Sequence, residues 1–183
     1  MGVAQSVKRL GRRGFIRPGR AKGTGAMNHS DVARELFEQG YNCAQSVFAA
    51  FCDETGLDME TALRLSSSFG GGMGRLREVC GAASAMFMVA GLRCGYSCPV
   101  DKEAKAAHYR LIQSLGKAFR EKNGSLICRD LLGLPEGADD PVPADRTKGY
   151  YEVRPCGGLV ACAAEMIDEL LRQRSAAGDG PEA

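Results

Sequence analysis

Val79-Cys80-Gly81-Ala82-Ala83-Ser84-Ala85-Met86-Phe87-Met88-Val89-Ala90-Gly91-Leu92 is the segment that decides the fold. It contains no charged residue, and small or apolar side chains occupy nearly every face that a helix of this sequence would present. A helix that is apolar on all sides is stable only when it is buried. We therefore predict a central helix over 80–92 with the other helices packed around it.

The segments on both sides of this helix repeat apolar residues at helical spacing. No segment shows the alternation of a strand, and no internal repeat is present. The sequence therefore predicts an all-α fold, a single-domain bundle of five or six helices with a buried central helix. The residues predicted to cap or open the other helices are Ser30 (for a helix over 31–39), Asn42, Asp58, Asp101 and Cys156.

Charge divides the chain into a basic leader and an acidic body. Residues 1–26 hold seven of the 24 basic residues and none of the 22 acidic ones, which leaves 17 basic residues and a net charge of −5 in the remainder. The leader is rich in Gly and Arg, a composition that builds no core. We predict a disordered basic leader over 1–29, a four-cysteine helical redox domain over 30–174 and a disordered tail over 175–183.

The sequence also favours one compartment and excludes some partners. Residues 12–17 are similar to a twin-arginine export signal, but the polar segment 18–23 follows where export requires an apolar one. No segment has the roughly 20 apolar residues that span a bilayer. The absence of Trp argues against a base-stacking surface. We expect a cytoplasmic protein without a membrane span or nucleic-acid partner, whose eight cysteines are reduced or metal-bound.

Four of the eight cysteines share a local setting that favours chemistry. Each stands at the boundary of an element beside small or flexible residues, and three of them stand where a helix is predicted to begin. Helix N-termini favour the thiolate, and neighbouring glycines let backbone amides approach the sulfur. The candidate ligands for a metal or cluster are Cys43, Cys80, Cys128 and Cys156.

The remaining cysteines are weaker candidates. Cys52 and Cys162 lie on the apolar stripes of their helices, so we predict that they pack in the core. Cys94 and Cys98 are four residues apart, but Gly95 and Pro99 disturb the helix that a shared metal would need. We predict a position at the edge of the core for His108. We predict that Arg75, Arg77 and Arg129 are solvated at the surface, although they lie near enough to Cys80 and Cys128 in sequence to offset thiolate charge.

Two loops flank the predicted cysteine positions. The segment Gly70-Gly71-Gly72-Met73-Gly74 permits positive φ angles and close backbone approach. It lacks the Gly-Lys-Ser/Thr ending of a phosphate-binding loop, and no strand leads into it. We therefore predict that it wraps past the cysteine site. Residues 134–149 are rich in Pro, Asp and Gly, which predicts a surface loop.

Several segments of the chain together form a recognisable pattern. These segments are 40–47 (GYNCAQSV), 69–74 (FGGGMG), 78–82 (EVCGA), 128–133 (CRDLLG) and Cys156. In them the chain resembles the C_GCAxxG_C_C family of redox-active proteins. The resemblance extends over about 30–172 and implies a redox role, with the family's four characteristic cysteines falling on the set chosen above. One departure is that Ala85 stands where the family's Cys-Gly-Ala-x-x-Gly block ends in Gly.

The family is also similar to part of the split-Soret cytochromes, which carry an iron–sulfur centre beside their haems. This chain has no Cys-x-x-Cys-His motif for covalent haem. The resemblance therefore extends only to the iron–sulfur centre.

Three functions are compatible with the four cysteines. The first is an iron–sulfur cluster for electron transfer or redox sensing, and the second is a metal-free protein in which dithiols and disulfides interconvert. The third is a structural zinc site in an interaction module. The first two imply a redox partner protein, and we also allow for a homodimer. No general-base constellation indicates a substrate, so the sequence does not decide whether the protein is an enzyme.

Overall fold

The computed structural model describes residues 28–137 and 139–178. Almost all of the predicted leader and the end of the predicted tail lie outside these residues, so their disorder stays a prediction. The described helices are α1 (His29–Glu38), α2 (Cys43–Ala50), α3 (Cys52–Thr55), α4 (Met59–Ser66), α5 (Gly70–Met73), α6 (Gly81–Cys94), α7 (Lys102–Asn123), α8 (Cys128–Leu132), α9 (Lys148–Val153) and α10 (Cys156–Ala176).

The all-α class is confirmed, but the predicted number of helices was too low. Six helices in the described ranges have eight residues or more, and four short helical segments (α3, α5, α8 and α9) add to them. Short helices carry too few apolar repeats to give a periodic signal, which is why the sequence pattern missed them. No helix within 28–137 and 139–178 is long and apolar enough to cross a membrane.

The centre of the bundle is α6, as predicted. It packs against α2 and α10, and α1 packs against the same two helices from outside. The small side chains of α6 allow this close approach, and larger apolar side chains from its neighbours fill the remaining core. Its last turn reaches solvent at Leu92, which is 54% exposed. The fully buried residues of α6 are Ala82, Ala83, Ala85, Met86, Val89 and Ala90.

Helix α1 begins two residues earlier than predicted. The side chain of Asn28, and not that of Ser30, caps the helix by accepting a hydrogen bond from the backbone amide of Asp31 at 2.9 Å. Ser30 is buried and donates its hydroxyl to Asn28 Oδ1 at 2.8 Å. The predicted caps Asn42, Asp58 and Asp101 are confirmed for α2, α4 and α7.

His29, the first residue of α1, joins three parts of the bundle. Its ring stacks on Phe51 with a centroid separation of 4.1 Å. Nδ1 contacts the carboxylate of Asp168 on α10, and Nε2 lies 3.2 Å from Asp53 on α3. Burial lowers the pKa of His29, but the hydrogen bonds and charges of Asp168 and Asp53 outweigh it, so the pKa is raised above 6.5. The charged imidazolium is therefore the form that stabilises the fold.

This contact predicts a pH dependence of stability. Because the pKa of His29 is raised in the folded state, its stabilisation is complete below about pH 6.5 and is lost as the pH rises through the folded-state pKa. Urea unfolding across this range should show the wild-type free energy of unfolding falling with rising pH relative to that of a His29→Gln variant, whose side chain does not titrate. The same pH slope in both proteins would contradict the assignment.

Candidate four-cysteine site

All four candidate cysteines stand where a helix starts. Cys43, Cys128 and Cys156 are the first residues of α2, α8 and α10, and Cys80 is the N-cap of α6. The free backbone amides of a first turn favour negative charge on a nearby sulfur. Sequence analysis identified three such positions, and the structure shows that the short helix α8 adds the fourth.

The structure brings these four cysteines to one cavity of about 60 Å³. Cys80 and Cys128 are buried, and Cys43 and Cys156 are partly exposed. In the described part of the chain no carboxylate lines this cavity, and its charged lining consists of arginines. Besides the cysteines, the lining residues are Phe37, Asn42, Gly71, Arg77, Leu131, Leu132, Arg146, Tyr150, Arg154 and Leu159.

A short antiparallel backbone pairing joins the two segments that carry Cys80 and Cys128. Val79 and Ile127 form an isolated β-bridge. The amide of Cys80 donates to the carbonyl of Leu126 at 2.8 Å, and the amide of Cys128 donates to the carbonyl of Glu78 at 2.6 Å. Two segments far apart in sequence are thereby fixed in register by backbone hydrogen bonds, independently of any bond between the sulfurs.

Two glycines allow the chain to pass close to the sulfurs. A Cβ atom at Gly81 would lie 2.6 Å from Cys43 Sγ and 2.8 Å from the carbonyl oxygen of Phe69. A Cβ atom at Gly72 would lie 2.6 Å from Cys128 Cβ, and the φ of Gly72 is +69°. The predicted wrapping of the glycine-rich loop past the site is therefore confirmed.

Backbone strain continues beyond the glycines of this loop. Met73, Arg75 and Arg77 have φ angles of 64°, 69° and 64°, a left-handed conformation that costs a non-glycine residue roughly 1–3 kcal/mol. Such a conformation persists only when contacts with the surrounding structure stabilise it. These contacts, and not the local backbone preferences of the loop, therefore fix its conformation.

Arg77 is the partner of Cys128, contrary to the surface position predicted for it. Its side chain is 3% exposed, and Nη1 donates to Cys128 Sγ at 3.8 Å. Nη2 pairs with Asp139, whose carboxylate also accepts from Arg75 at 2.7 Å. The Nε atom of Arg77 is buried and has no hydrogen-bond partner. No local sequence signal indicated Asp139, because the loop that carries it was predicted only as surface.

Two further arginines reach the cavity from the segment that precedes α10. Arg146 donates to the carbonyl oxygens of Phe37 at 3.2 Å and Tyr41 at 3.1 Å. Its guanidinium carbon lies 5.1 Å from the centroid of the Tyr150 ring, and that of Arg154 lies 4.7 Å from the same centroid. Sequence analysis missed both residues, because a single arginine in a polar loop carries no signal of what it will contact.

Burial keeps two of the site thiols, Cys80 and Cys156, in their neutral form near pH 7. It raises the pKa of Cys80 to about 12, and charge on Cys43 would add to this effect. The amides of Ala82 and Ala83 favour the Cys80 thiolate but form no capping hydrogen bond with its side chain, so burial prevails. Burial also raises the pKa of Cys156 to about 11, against the opposing charges of Arg154 and Arg146.

Cys43 is the electrostatic centre of the set. Burial is the main cause of the raised pKa of Cys128, with Arg77 opposing it, and negative charge on Cys43 raises it further. The same Cys43 charge raises the pKa of Cys80 and of Cys156. The sulfurs nevertheless surround the cavity without meeting at one point. Across residues 28–137 and 139–178, no three His, Cys, Asp or Glu side chains are grouped so that they would hold a metal ion.

The other cysteines lie away from the cavity lining. Cys52 and Cys162 are partly buried against the core, and Cys162 Sγ accepts from Asn123 at 3.4 Å. Cys94 is partly buried near the end of α6, and Cys98 is exposed. The ring of His108 contacts the carbonyl oxygen of Cys94 at 3.1 Å and does not line the cavity.

The donor set of the cavity fits a soft metal centre. Four thiols are the ligands preferred by iron–sulfur clusters and by zinc. The glycine cradle around Cys43 and Cys128 gives the backbone access to the sulfurs, and the guanidinium of Arg77 offers a hydrogen bond to one of them. The same four thiols are also able to form disulfides, although no disulfide joins any of the eight cysteines, all of which lie in the described ranges.

Comparison with known proteins gives a match to a protein family. A family model described as "Putative redox-active protein (C_GCAxxG_C_C)" matches residues 41–170, well over half of the chain. The matched range includes all four cavity cysteines. No curated protein and no solved structure matches the chain significantly.

The close approach at Gly81 predicts a specific sensitivity to a single methyl group. In a Gly81→Ala variant the new Cβ would collide with Cys43 Sγ and a backbone carbonyl, so we expect a loss of roughly 1–3 kcal/mol in the free energy of unfolding. Gly91 lies in the same helix with nothing within 4 Å of its Cβ position. A Gly91→Ala variant should therefore gain about 0.5–1 kcal/mol. Equal denaturation midpoints for the two variants would contradict the close packing.

The burial of the site thiols predicts an order of chemical reactivity. Exposed Cys98 should be alkylated first by iodoacetamide at pH 7.5, and Cys80 should be the last because it is buried and its pKa is about 12. Peptide mass spectrometry of the metal-free, reduced protein over time would give the order. Labelling of Cys80 at the rate of Cys98 would show that the site is open in solution.

Proposed function

The chain belongs to the C_GCAxxG_C_C family, and on this premise we propose that it is a redox-active protein holding an iron–sulfur cluster on Cys43, Cys80, Cys128 and Cys156. The cluster would serve electron transfer or redox sensing. When bound, such a cluster supplies reversible one-electron chemistry. We further propose that it acts in the cytoplasm and exchanges electrons with a partner protein.

The convergence of four separate helix starts on one cavity carries the proposal. The four cysteines are separated by 37, 48 and 28 residues, and yet all of them line the same small space. Cysteines that served only as small core residues would have no reason to share one cavity or to stand at helix N-termini. This arrangement favours a group that all four bind together.

The surrounding residues support the binding of a negatively charged group. Arg77 lies within hydrogen-bonding reach of Cys128 Sγ, and the charges of Arg146 and Arg154 favour the Cys156 thiolate. The apolar residues Phe37, Leu131 and Leu159 complete the wall and limit the access of water. These features are the ones by which proteins adjust the potential of a cluster.

The arrangement of the sulfurs favours a cluster over a single zinc ion. In the described residues no three potential ligands are grouped tightly enough for one ion. A cluster places several iron atoms toward separate sulfurs and therefore needs less convergence. A zinc site would require the cysteines to move closer together into a tetrahedron.

A metal-free dithiol protein is the second candidate, because Cys43 is within electrostatic range of each of the other three thiols. A central thiol of this kind is suited to exchange between alternative disulfide partners. In this case the neutral state of the buried thiols would slow the reaction until a thiolate forms.

Anaerobic purification followed by an absorption spectrum and metal analysis tests the proposal. We expect visible absorption with iron and acid-labile sulfide in about equal amounts. A colourless protein without iron would contradict the cluster. A change of two or four in the number of titratable thiols on oxidation would then support the dithiol candidate, and stoichiometric zinc would support the third function.

A pair of variants in one helix gives the matched control. Cys156→Ser removes a cavity thiol, and Cys162→Ser removes a partly buried thiol two turns later in α10. We expect Cys156→Ser to lose most of the visible absorption and Cys162→Ser to keep it. Similar loss in both variants would indicate general destabilisation and would contradict the assignment of the ligands.

A further inference from the structure

We propose that Arg146 and Arg154 balance the negative charge of a bound centre, and that they make the cavity specific for a tetrathiolate centre of net charge about −2. This inference rests on the proposed function and concerns residues that no comparison assigns. It follows from an imbalance of charge in the cavity wall, from the position of both arginines on one segment, and from the charge that a four-cysteine centre carries.

The cavity wall carries positive charge that no ion pair in the described ranges offsets. Arg77 is paired with Asp139. Arg146 and Arg154 have no ion pair with any described carboxylate, and none of the described residues that line the cavity is acidic. The wall therefore holds two cations without an ion-pair partner among the described residues.

These two cations are held close to each other. Both guanidinium carbons lie about 5 Å from the centroid of the Tyr150 ring, so they are separated by no more than about 10 Å. This separation is comparable to the Debye length at about 0.1 M salt, so solvent ions do not screen the repulsion fully. The chain holds two like charges together beside four sulfurs, an arrangement that becomes favourable when the space between them is negative.

The known four-cysteine centres carry the negative charge that would balance these two arginines. Four thiolates around a zinc ion, or around an oxidised two-iron or four-iron cluster, carry a net charge of about −2. Two arginines offset this charge. A pair of disulfides would carry no charge and would leave both arginines uncompensated, so the charge balance favours a bound centre over dithiol chemistry.

The two arginines differ in their remaining contacts, and this difference decides which one to test. Arg146 also donates to the carbonyl of Phe37 in the last turn of α1 and to that of Tyr41 in the loop that follows. The C-terminal end of a helix stabilises a cation whether or not the site is filled. Arg154 makes no such hydrogen bonds among the described residues; its guanidinium lies over the Tyr150 ring, and the residue lines the cysteine cavity and an adjoining groove that also contains Glu38. Substitution of Arg154 therefore separates the counter-charge from structural support.

The experiment compares Arg154→Gln, Arg154→Lys and Arg110→Gln with the wild type. Arg110 is exposed on α7 and does not line the cavity, so its replacement changes the net charge equally. For each protein, the melting temperature is measured in the metal-free reduced form and after anaerobic reconstitution with iron and sulfide. We expect loading to raise the melting temperature about 2–4 °C less in Arg154→Gln than in the wild type. The Lys variant and the Arg110→Gln control should match the wild type.

The reduction potential of the loaded protein provides a second measurement. Arg154→Gln should shift it to more negative values, because one positive charge beside the centre is lost, and Arg154→Lys should largely restore it. An equal loss of melting temperature in both forms, with an unchanged potential, would show that Arg154 is only structural and would overturn the inference.

A sulfate titration of the metal-free protein separates failure of the inference from failure of the proposed function. Sulfate, a small dianion, should raise the melting temperature of the wild type more than that of Arg154→Gln, with sodium chloride at equal ionic strength as the reference. An equal response of both proteins overturns the inference. A wild type that takes up no iron overturns the proposed function, even where the sulfate response differs as expected.

Discussion

The antiparallel pairing of residues 78–80 with 126–128 is the constraint on which the site depends. Its backbone hydrogen bonds hold the segments of Cys80 and Cys128 side by side, and the glycine-rich loop that leads into it brings Arg77 beside Cys128 Sγ. Glycine at position 72 is required because a side chain there would occupy the place of Cys128. The strained conformation of Arg77 is the local cost of this arrangement. The helices carry the four cysteines, and this short pairing fixes the relative position of the segments that contain two of them.

Much of the fold was predictable because it follows from local rules. Most of the uncharged segment 79–92 had to be buried. The side chains of Asn42, Asp58 and Asp101 cap the N-termini of α2, α4 and α7 in the ordinary way. The start of α1 was misplaced because Asn28 and Ser30 are both capable caps and only packing decides between them. The four cysteines were found from their neighbours, since small residues and helix starts are visible in the sequence.

The charged wall of the cavity was not predictable, because it depends on contacts between distant segments. Arg77 was expected at the surface, and its burial depends on Asp139, which lies 62 residues later. Arg146 reaches the end of α1 across 105 residues or more. No periodicity or spacing encodes such contacts, because a polar loop gives the same local pattern whether its arginines face water or a cavity. The candidate cysteines were thus easier to identify from the sequence than the charged residues that surround them.

The positions of the four helix starts along the chain also bear on folding. The cysteines divide the sequence into closed loops of 37, 48 and 28 residues, so a centre bonded to all four would act as a four-way cross-link. Each such closure removes loop entropy from the unfolded chain, on the order of 3–4 kcal/mol for loops of this length. A bundle with many small core side chains would gain rigidity from this source. Cofactor content and the cooperativity of unfolding would then both report the formation of this cross-link.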